Sequence, residues 1–324
     1  MENPREIIVI GAGLAGLSAA AGLHRRGHDV LVIDKGRGVG GRMATRRVGS
    51  LRLDHGAQFL TIRDPAIQSL VSPLLESGEL FEWSRGFPEW RDGVIHPRSE
   101  GHPRFACRSG MSALPKFLSK DLDLALGEAV TTVERDGNLW TIELSGGARH
   151  QARTLLVNTP PAQLLSLLGE LLERSSRTKL DVLEMDPTWA VFGEVDRDPE
   201  LHGVALEFED HPIFRFISRD HTRRTPGQPP SLVIHCHERW SRQHLESTPA
   251  EVADTVSTAL RSLFGVQFVG EPQVHRWKYA TPTGSLGEDC LWQPELRLGA
   301  CGDWCRGGRV EGALLSGRAL AAKI

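Results

Sequence analysis

The chain has 324 residues, 40% of them hydrophobic and 24% charged, and its formal net charge is −3. The length suits two domains or one large α/β unit, and the composition is ordinary for a soluble protein. The charge gives no reason to expect a nucleic acid polymer or a membrane surface as a partner, and no apolar run is long enough to span a membrane. Because the first apolar run, 7–10, lacks the features of a signal peptide, we expect a cytoplasmic protein.

The cysteines indicate neither a disulfide framework nor a metal site. They are five in number, which is odd, and irregularly spaced: Cys107, Cys236, Cys290, Cys301 and Cys305. Cys301 and Cys305 have no second pair that could complete a zinc site. We therefore predict no bound metal.

The N-terminal stretch "EIIVIGAGLAGLSAAAGLHRRGHDVLVIDKG" predicts a strand over 6–10, a glycine turn, a helix over 14–26 and a strand over 29–34. Gly11, Gly13 and Gly16 form a G-x-G-x-x-G pattern that continues into the helix through Ala15, and Asp34 ends the second strand. In this arrangement, the pyrophosphate of a dinucleotide binds at the helix N-terminus and a ribose hydroxyl binds the carboxylate of Asp34. We predict a dinucleotide site formed by these residues and Lys35.

A second glycine turn follows in "KGRGVGGRMATRR", where Gly41 and Arg42 are suited to close over the pyrophosphate. The next segment, "DHGAQF" (54–59), offers His55, Gly56 and Ala57 as a small turn that could lie against a flat ring. Together these motifs resemble the amine-oxidase and phytoene-desaturase branch of FAD-dependent oxidoreductases. The resemblance implies FAD as the cofactor.

The middle of the chain predicts a β-meander over 129–135, 139–144 and 150–158. In the families that the chain resembles, the strand around Val130 meets the adenine, and a segment like that at Thr159 returns toward the cofactor. Further strands are predicted over 188–195, 213–218 and 231–237, and a helix over 249–264. The arginine pairs Arg46-Arg47 and Arg223-Arg224 are interpreted as exposed basic loops, with binding of a substrate phosphate as the alternative.

Five further motifs resemble bacterial renalase-type flavoproteins: "RSGMSALPKFL" (108–118), "MDPTWAV" (185–191), "ERWSRQ" (238–243), "HRWKYATP" (275–282) and "GDWCRGGRVEGALLSG" (302–317). The resemblance implies an α/β fold of the p-hydroxybenzoate-hydroxylase type, with a Rossmann-type FAD domain and a mixed-sheet α+β substrate domain. We assign 1–58, 104–165 and 291–324 to the FAD domain, and 59–103 and 166–290 to the substrate domain.

Renalase-type proteins oxidise the 2- and 6-dihydro isomers of NAD(P)H. The resemblance therefore implies a dinucleotide substrate, hydride transfer to FAD, and O₂ as acceptor, giving NAD(P)⁺ and hydrogen peroxide. A flavin-dependent amine oxidase or another flavin dehydrogenase is the alternative, and a non-catalytic FAD- or nucleotide-binding module is a further one. The oligomeric state is left open.

A dihydropyridine needs no proton removed before it gives up hydride, which favours an aromatic pocket with few ionisable groups. We predict Trp277 and Tyr279 as its aromatic residues, and Gln58 and His235 as the polar residues that orient the substrate. His237 shares its predicted strand face with His235. The same alternation turns Lys278, the residue that an amine oxidase would need, away from Trp277 and Tyr279.

The C-terminal tail completes the predicted cofactor site. Asp303, after Gly302, is expected to bond the flavin's ribityl or pyrophosphate end, and the helix from about Arg309 and Val310 directs its amides at the flavin ring. Gly312, Ala313 and Gly317 are small enough for this helix to pack closely on the first β-α-β unit. The family members with a covalent flavin carry a cysteine that this sequence lacks, so we expect non-covalent FAD.

Overall fold

The computed structural model describes residues 3–98 and 100–324. The strands, in chain order, are β1 (Arg5–Ile10), β2 (Val30–Asp34), β3 (Thr45–Val48), β4 (Leu51–Asp54), β5 (Leu80–Ser84), β6 (Glu89–Arg91), β7 (Val94–His96), β8 (Arg104–Cys107), β9 (Asp123–Leu126), β10 (Val130–Asp136), β11 (Leu139–Leu144), β12 (Arg149–Val157), β13 (Met185–Glu194), β14 (Ala205–Phe208), β15 (Phe214–Arg219), β16 (Ser231–Cys236), β17 (Gln273–Pro282), β18 (Leu291–Gln293) and β19 (Leu298–Ala300). The α-helices are α1 (Leu14–His24), α2 (Pro65–Glu76), α3 (Ala113–Leu118), α4 (Pro161–Leu168), α5 (Arg174–Asp181), α6 (Glu238–Gln243), α7 (Pro249–Phe264) and α8 (Val310–Ala321).

The chain divides into two compact units, each assembled from separated segments. The first unit comprises 1–42, 114–185 and 281–324, and the second comprises 43–113 and 186–280. These limits differ from the predicted domains at 43–58 and 104–113, which lie in the second unit, and at 166–185 and 281–290, which lie in the first. The segment 43–58 belongs to the second unit because the hairpin of β3 and β4 packs its Leu51 and Leu53 on Ala190 and Phe192 of that unit.

The first unit is a Rossmann-type α/β unit, as the sequence predicts. Its sheet runs in the order β10-β11-β12-β1-β2-β9, and β19 pairs with the second half of β12. The strands β12, β1, β2 and β9 are parallel, whereas β10, β11 and the start of β12 form the predicted antiparallel meander. Strand β1 is covered on both faces, since Ile7, Ile8 and Val9 are fully buried.

Helices α1 and α8 join the two ends of the chain within this unit. A Cβ on Gly317 would lie 2.1 Å from the Ala15 carbonyl oxygen, so only a glycine permits this close approach. The Ser18 hydroxyl donates to the Leu314 carbonyl at 2.8 Å. Gly312 has another neighbour, because its Cβ would face the Arg306 carbonyl at 3.3 Å. The predicted small-residue packing is therefore confirmed at Gly317 and not at Gly312.

The second unit is built on a mixed sheet in the order β17-β13-β16-β15-β14-β6-β7. Helix α7 packs Val252, Val256 and Leu260 against one sheet face. It begins with a capping box between Thr248 and Glu251 and ends at Gly265, whose φ of +63° suits glycine. These signals confirm the helix predicted over 249–264.

The other face of this sheet carries the hairpin of β3 and β4 and the segment 54–60. Residues that alternate along the strands, including Phe192, Val233 and Trp277, form its apolar surface with Leu51 and Leu53. Within 3–98 and 100–324, no helix has both the length and the apolarity to cross a membrane. The same residues contain no group of three or more His, Cys, Asp or Glu side chains arranged to hold a metal ion.

Candidate functional site

The glycines of the first turn make room for Asn158. A Cβ on Gly11 would lie 2.4 Å from the Asn158 carbonyl oxygen, and one on Gly13 would lie 2.5 Å from Asn158 Oδ1. A Cβ on Gly16 would lie 2.3 Å from the Gly11 carbonyl oxygen. The sequence suggested that Gly13 was needed for a phosphate, and the structure adds this protein contact.

Asn158 in turn connects three strand ends. Its backbone amide donates to the Ile10 carbonyl at 2.7 Å, and its side-chain amide donates to the Cys301 carbonyl at 2.9 Å. The glycine turn after β1 and the tail after β19 are thereby held at the carboxyl edge of the parallel strands. Ligands bind at this edge in open α/β sheets.

Asp34 organises the turn at the end of β2. One carboxylate oxygen accepts the Ala12 amide at 2.7 Å, and the other accepts the Gly36 amide at 2.6 Å. The amide of Gly127, just before Val130, donates to the Asp34 carbonyl at 2.9 Å. Val130 thus begins its strand beside the turn that holds Asp34, whereas the neighbouring Lys35 is exposed.

The second glycine turn docks on the first. The Gly40 amide donates to the Ala12 carbonyl at 2.8 Å, and Gly41 has a φ of +53°. The Arg42 guanidinium that follows forms a bidentate ion pair with Asp303. Its Nη1 donates to Oδ2 at 2.7 Å and its Nη2 donates to Oδ1 at 2.5 Å. The sequence assigned both residues to the cofactor separately; the structure brings them together as one ion pair.

The tail after β19 places a buried acid before a helix N-terminus. The Asp303 side chain is 8% exposed, and the residues that lead into α8 are Gly307, Gly308 and the N-cap Arg309. Gly302 leaves room for the ring of Trp304, because a Cβ here would lie 2.2 Å from the indole nitrogen. This nitrogen donates to the Thr159 carbonyl at 3.1 Å. The Thr159 hydroxyl itself is buried and has no hydrogen-bond partner in the described part of the chain.

In the second unit, a buried ionic network fixes the segment that begins at Asp54. The Asp54 carboxylate accepts Thr45 Oγ1 at 2.5 Å, the Met111 amide at 2.8 Å and Arg224 Nη2 at 2.7 Å. Arg223 and Arg224 also pair with the buried Asp220. The prediction that Arg223 and Arg224 form an exposed basic loop is wrong, because they neutralise two buried carboxylates.

Gln58 belongs to the same network. Its side-chain amide nitrogen donates to the Asp54 and Gly56 carbonyls, while its Oε1 accepts Ser218 Oγ at 2.7 Å and Arg223 Nη2 at 2.9 Å. These four bonds use the full capacity of a primary amide. The structure therefore corrects the prediction that Gln58 orients substrate: it holds the turn 54–58 in place.

Four rings pack together on the sheet face beside this turn, and we refer to them as the ring cluster. The His55 ring stacks on Trp277 with centroids 5.2 Å apart, meets His275 edge-on at 4.8 Å, and lies 5.1 Å from Phe192. Trp277 Nε1 donates to the His55 carbonyl at 2.8 Å, and His235 Nε2 lies 3.1 Å from the same oxygen. The predicted residues His55, Trp277 and His235 are thus brought together.

The histidines of this region are neutral at pH 7. Burial, followed by the nearby His275 and Arg46, lowers the pKa of His55 to about 3. Burial lowers the pKa of His235 to about 4 and also depresses the pKa of His275. The cluster is therefore uncharged, and its buried His55 Nδ1 has no hydrogen-bond partner within the described residues.

Side-chain exposure alternates along strand β17 as predicted, although Lys278 Nζ lies only 5.7 Å from the Tyr279 ring centroid. Trp277 and Tyr279 are partly buried, and Lys278 between them is exposed. His275 shares the face of Trp277, and its two-residue spacing in "HRW" could have identified it from the sequence. His237 does not continue β16, because it caps α6 by accepting the Arg239 amide at 3.3 Å. The prediction that His237 shares a strand face with His235 is wrong.

Family profiles match both parts of the chain. The profile described as "NAD(P)-binding Rossmann-like domain" matches residues 9–74, and the one described as "Flavin containing amine oxidoreductase" matches residues 91–324. Renalase of Mus musculus is 26% identical over 306 residues, which cover 87% of this chain and 86% of that protein. A putative flavin-containing monoamine oxidase of Mycobacterium tuberculosis is 42% identical over 69 residues, 21% of this chain and 15% of that one.

Two solved structures show the same fold. A putative protoporphyrinogen oxidase from Exiguobacterium sp. 255-15 superposes with a TM-score of 0.80 at 11% identity, covering 100% of this chain and 99% of the other. A putrescine oxidase variant superposes with a TM-score of 0.78 at 15% identity, covering 99% and 98%. At these identities the likeness concerns the fold alone.

Proposed function

Because the chain belongs to the family of flavin-containing amine oxidoreductases, we propose that it is an oxidase for the 2- and 6-dihydro isomers of NAD(P)H. Its cofactor is FAD. Similarity to a renalase over 87% of the chain supports the narrower assignment, alongside the motifs that resemble renalase-type flavoproteins. The products would be NAD(P)⁺ and hydrogen peroxide. One dihydropyridine, one O₂ and one proton account for all atoms and electrons.

The residues of the first unit fit FAD. The glycine turn at the N-terminus of α1 and the turn at Gly41 would hold its phosphates, and Asp34 would accept a ribose hydroxyl. The buried Thr159 hydroxyl without a protein partner supports this fit, since a bound group would satisfy it. FAD, when bound, supplies the acceptor for a hydride. The Arg42–Asp303 ion pair and the N-terminus of α8 would complete the FAD-binding site.

We also propose that FAD is held without a covalent bond. The five cysteines are all buried. Burial raises the pKa of Cys305 to about 12 and raises that of Cys301 as well, so neither thiol forms the reactive thiolate at neutral pH. Acid precipitation should leave yellow FAD in the supernatant, whereas colour in the pellet would contradict this proposal.

The neutral ring cluster is the observation that carries the choice of substrate. A dihydropyridine becomes aromatic as hydride leaves, so the protein has to bind and orient a flat ring and need not remove a proton. His275 and Trp277 are partly buried and offer flat ring surfaces for stacking, and the buried His55 packs against both. Imidazoles whose pKa lies near 3 or 4 are weak bases at pH 7, which suits this chemistry better than amine deprotonation.

Amine oxidation remains the competing function, because the family name and the match to a monoamine oxidase point to it. Such a reaction is helped by a lysine beside the flavin. The candidate in this chain, Lys278, is exposed and alternates with the partly buried Trp277 and Tyr279. This placement favours the dihydropyridine oxidase.

Steady-state turnover in air tests the proposal. With 6-dihydroNAD(P) or 2-dihydroNAD(P), the enzyme should form NAD(P)⁺ and hydrogen peroxide in equal amounts. The Lys278→Met variant should retain this turnover, since the proposed reaction does not use the lysine. Ammonia release from a primary amine, lost in Lys278→Met, would establish an amine oxidase instead.

A further inference from the structure

Arg46 lies on the apolar face of the β3–β4 hairpin. In the register of the two strands Arg46 pairs with Leu53, and Val48 pairs with Leu51. Directly paired residues of antiparallel strands point to the same face. Since Leu51 and Leu53 pack on Phe192 and Val233, Arg46 is the charged residue at the edge of an apolar surface.

Among the described residues, the Arg46 guanidinium has no anionic partner. Its central carbon lies 6.0 Å from the Phe192 ring centroid, and no carboxylate pairs with it among residues 3–98 and 100–324. The other inward-facing arginines of this region differ, because Arg223 and Arg224 each pair with Asp220. A half-buried cation without a counter-charge is costly to keep unless a ligand supplies one.

The guanidinium also lies beside the ring cluster. After burial, which has the larger effect, the positive charge of Arg46 contributes to the lowered pKa of both His55 and His275. Phe192 contacts both Arg46 and His55, so one ring separates the cation from the stacking surface. In a nicotinamide nucleotide, the 5′-phosphate is joined to the ring through a single ribose, and it carries the negative charge that this arrangement lacks.

We propose that Arg46 binds the 5′-phosphate attached through ribose to the nicotinamide ring of the substrate. The inference rests on the proposed function, since it takes the ring cluster as the site of the substrate ring. If Arg46 binds this phosphate, the second unit binds the phosphorylated nucleotide more tightly than the corresponding riboside or a neutral amine. Arg47, the next residue along β3, is exposed and serves as the matched control.

The test measures binding to the FAD-loaded protein by calorimetric titration. The probes are nicotinamide mononucleotide and nicotinamide riboside, which differ only in the phosphate. Arg46→Gln should weaken mononucleotide binding about 10- to 100-fold, the range of a charge-assisted hydrogen bond, and leave riboside binding within about twofold. Arg47→Gln should change neither probe by more than about twofold. Arg46→Lys, which keeps the charge and loses the planar fork, should show an intermediate loss.

Three results would overturn the inference. Arg46→Gln could weaken both probes equally, it could weaken neither, or the wild type could bind the mononucleotide no more tightly than the riboside. Flavin content and the thermal midpoint of Arg46→Gln should match the wild type, because this arginine forms no ion pair within residues 3–98 and 100–324. An Arg46-dependent preference for the mononucleotide in a protein that oxidises no dihydropyridine would uphold the phosphate site and reject the proposed function.

Discussion

His55 and His235 show how single residues set the chemistry of the second unit. Both lie on an apolar sheet face where burial keeps the imidazole neutral, with pKa values of about 3 and 4. The His55 carbonyl also accepts the Trp277 indole and lies within bonding distance of His235 Nε2. One backbone oxygen thereby positions two of the residues that the sequence predicted.

These two histidines should make the fold sensitive to acid. In the unfolded chain each takes up a proton near pH 6.5, while in the folded protein each stays neutral down to about pH 4 or 3. The stabilisation is therefore complete above pH 6.5 and is lost as the pH falls below it. Each histidine should lower the free energy of unfolding by about 1.4 kcal/mol per pH unit in this range.

Urea unfolding between pH 6.5 and 4.5 checks this expectation. The His235→Asn variant should lose about half of the slope that the two histidines contribute. Replacing the exposed His24 by Gln serves as the control and should preserve the wild-type slope. An unchanged slope in His235→Asn would show that burial does not hold this imidazole neutral.

The Arg42–Asp303 pair makes a second prediction for single residues. Asp303 is a buried carboxylate in the tail beside the cofactor turns, and Arg42 neutralises it. Arg42→Ala would leave this negative charge unpaired near the FAD phosphates, so it should reduce flavin retention more than Asp303→Ala does. We expect an about tenfold or greater weakening of FAD binding in Arg42→Ala, measured by flavin-to-protein absorbance after dialysis.

Arg37, which is exposed in the same glycine-rich loop, provides the control for this pair. Arg37→Ala should keep the wild-type flavin content. Full flavin retention in both Arg42→Ala and Asp303→Ala would show that the ion pair does not contribute to FAD binding.

Among the elements, helices α1 and α8 approach most closely at Gly317. Gly317→Ala places a Cβ 2.1 Å from the Ala15 carbonyl, and backbone must move to accommodate it. We expect the free energy of unfolding to fall by about 1–3 kcal/mol, the usual range for overpacking a tight contact. Arg318→Ala, on the exposed side of α8, should change it by less than about 0.5 kcal/mol. Equal stability of Gly317→Ala and the wild type, by urea unfolding, would contradict this packing.

The elements that could be predicted from the sequence are those set by neighbours in the chain. Helix α7 was predicted over 249–264 from the helical spacing of its apolar residues, and the caps at Thr248 and Gly265 end it at these limits. The first β-α-β unit was predicted for the same reason. His237 was misplaced because a helix cap directly after a strand resembles one more strand residue.

The buried ionic network could not be predicted in this way. Its members are separated by 166 to 170 residues, as in the contacts of Asp54 with Asp220 and Arg224. An arginine pair followed by "TPGQPP" has the composition of an exposed loop, and only the fold reveals the acids that neutralise it. Gln58 was misassigned for the same reason, since Ser218 and Arg223 occupy its Oε1 from a distant part of the chain.

At the scale of the whole molecule, each unit carries the residues for a different part of the proposed reaction. The first unit collects both ends of the chain around the glycine turns and the tail, and it carries the residues suited to FAD. The second unit carries neutral rings, an arginine (Arg46) that forms no ion pair within the described part of the chain, and a buried ionic network that fixes the segment beginning at Asp54. Together these features favour an oxidase for a flat, phosphorylated, electron-rich ring over one for a cationic amine.

The most direct test is to mix the FAD-loaded protein anaerobically with single donors and follow the visible absorbance band of the flavin. The donors are the 2- and 6-dihydro isomers of NAD(P), ordinary NADH and a primary amine. We predict rapid loss of the band with the isomers, and not with ordinary NADH or the amine. Bleaching by the amine alone would contradict the account and establish an amine oxidase, and no bleaching by any donor would favour a non-catalytic FAD-binding module.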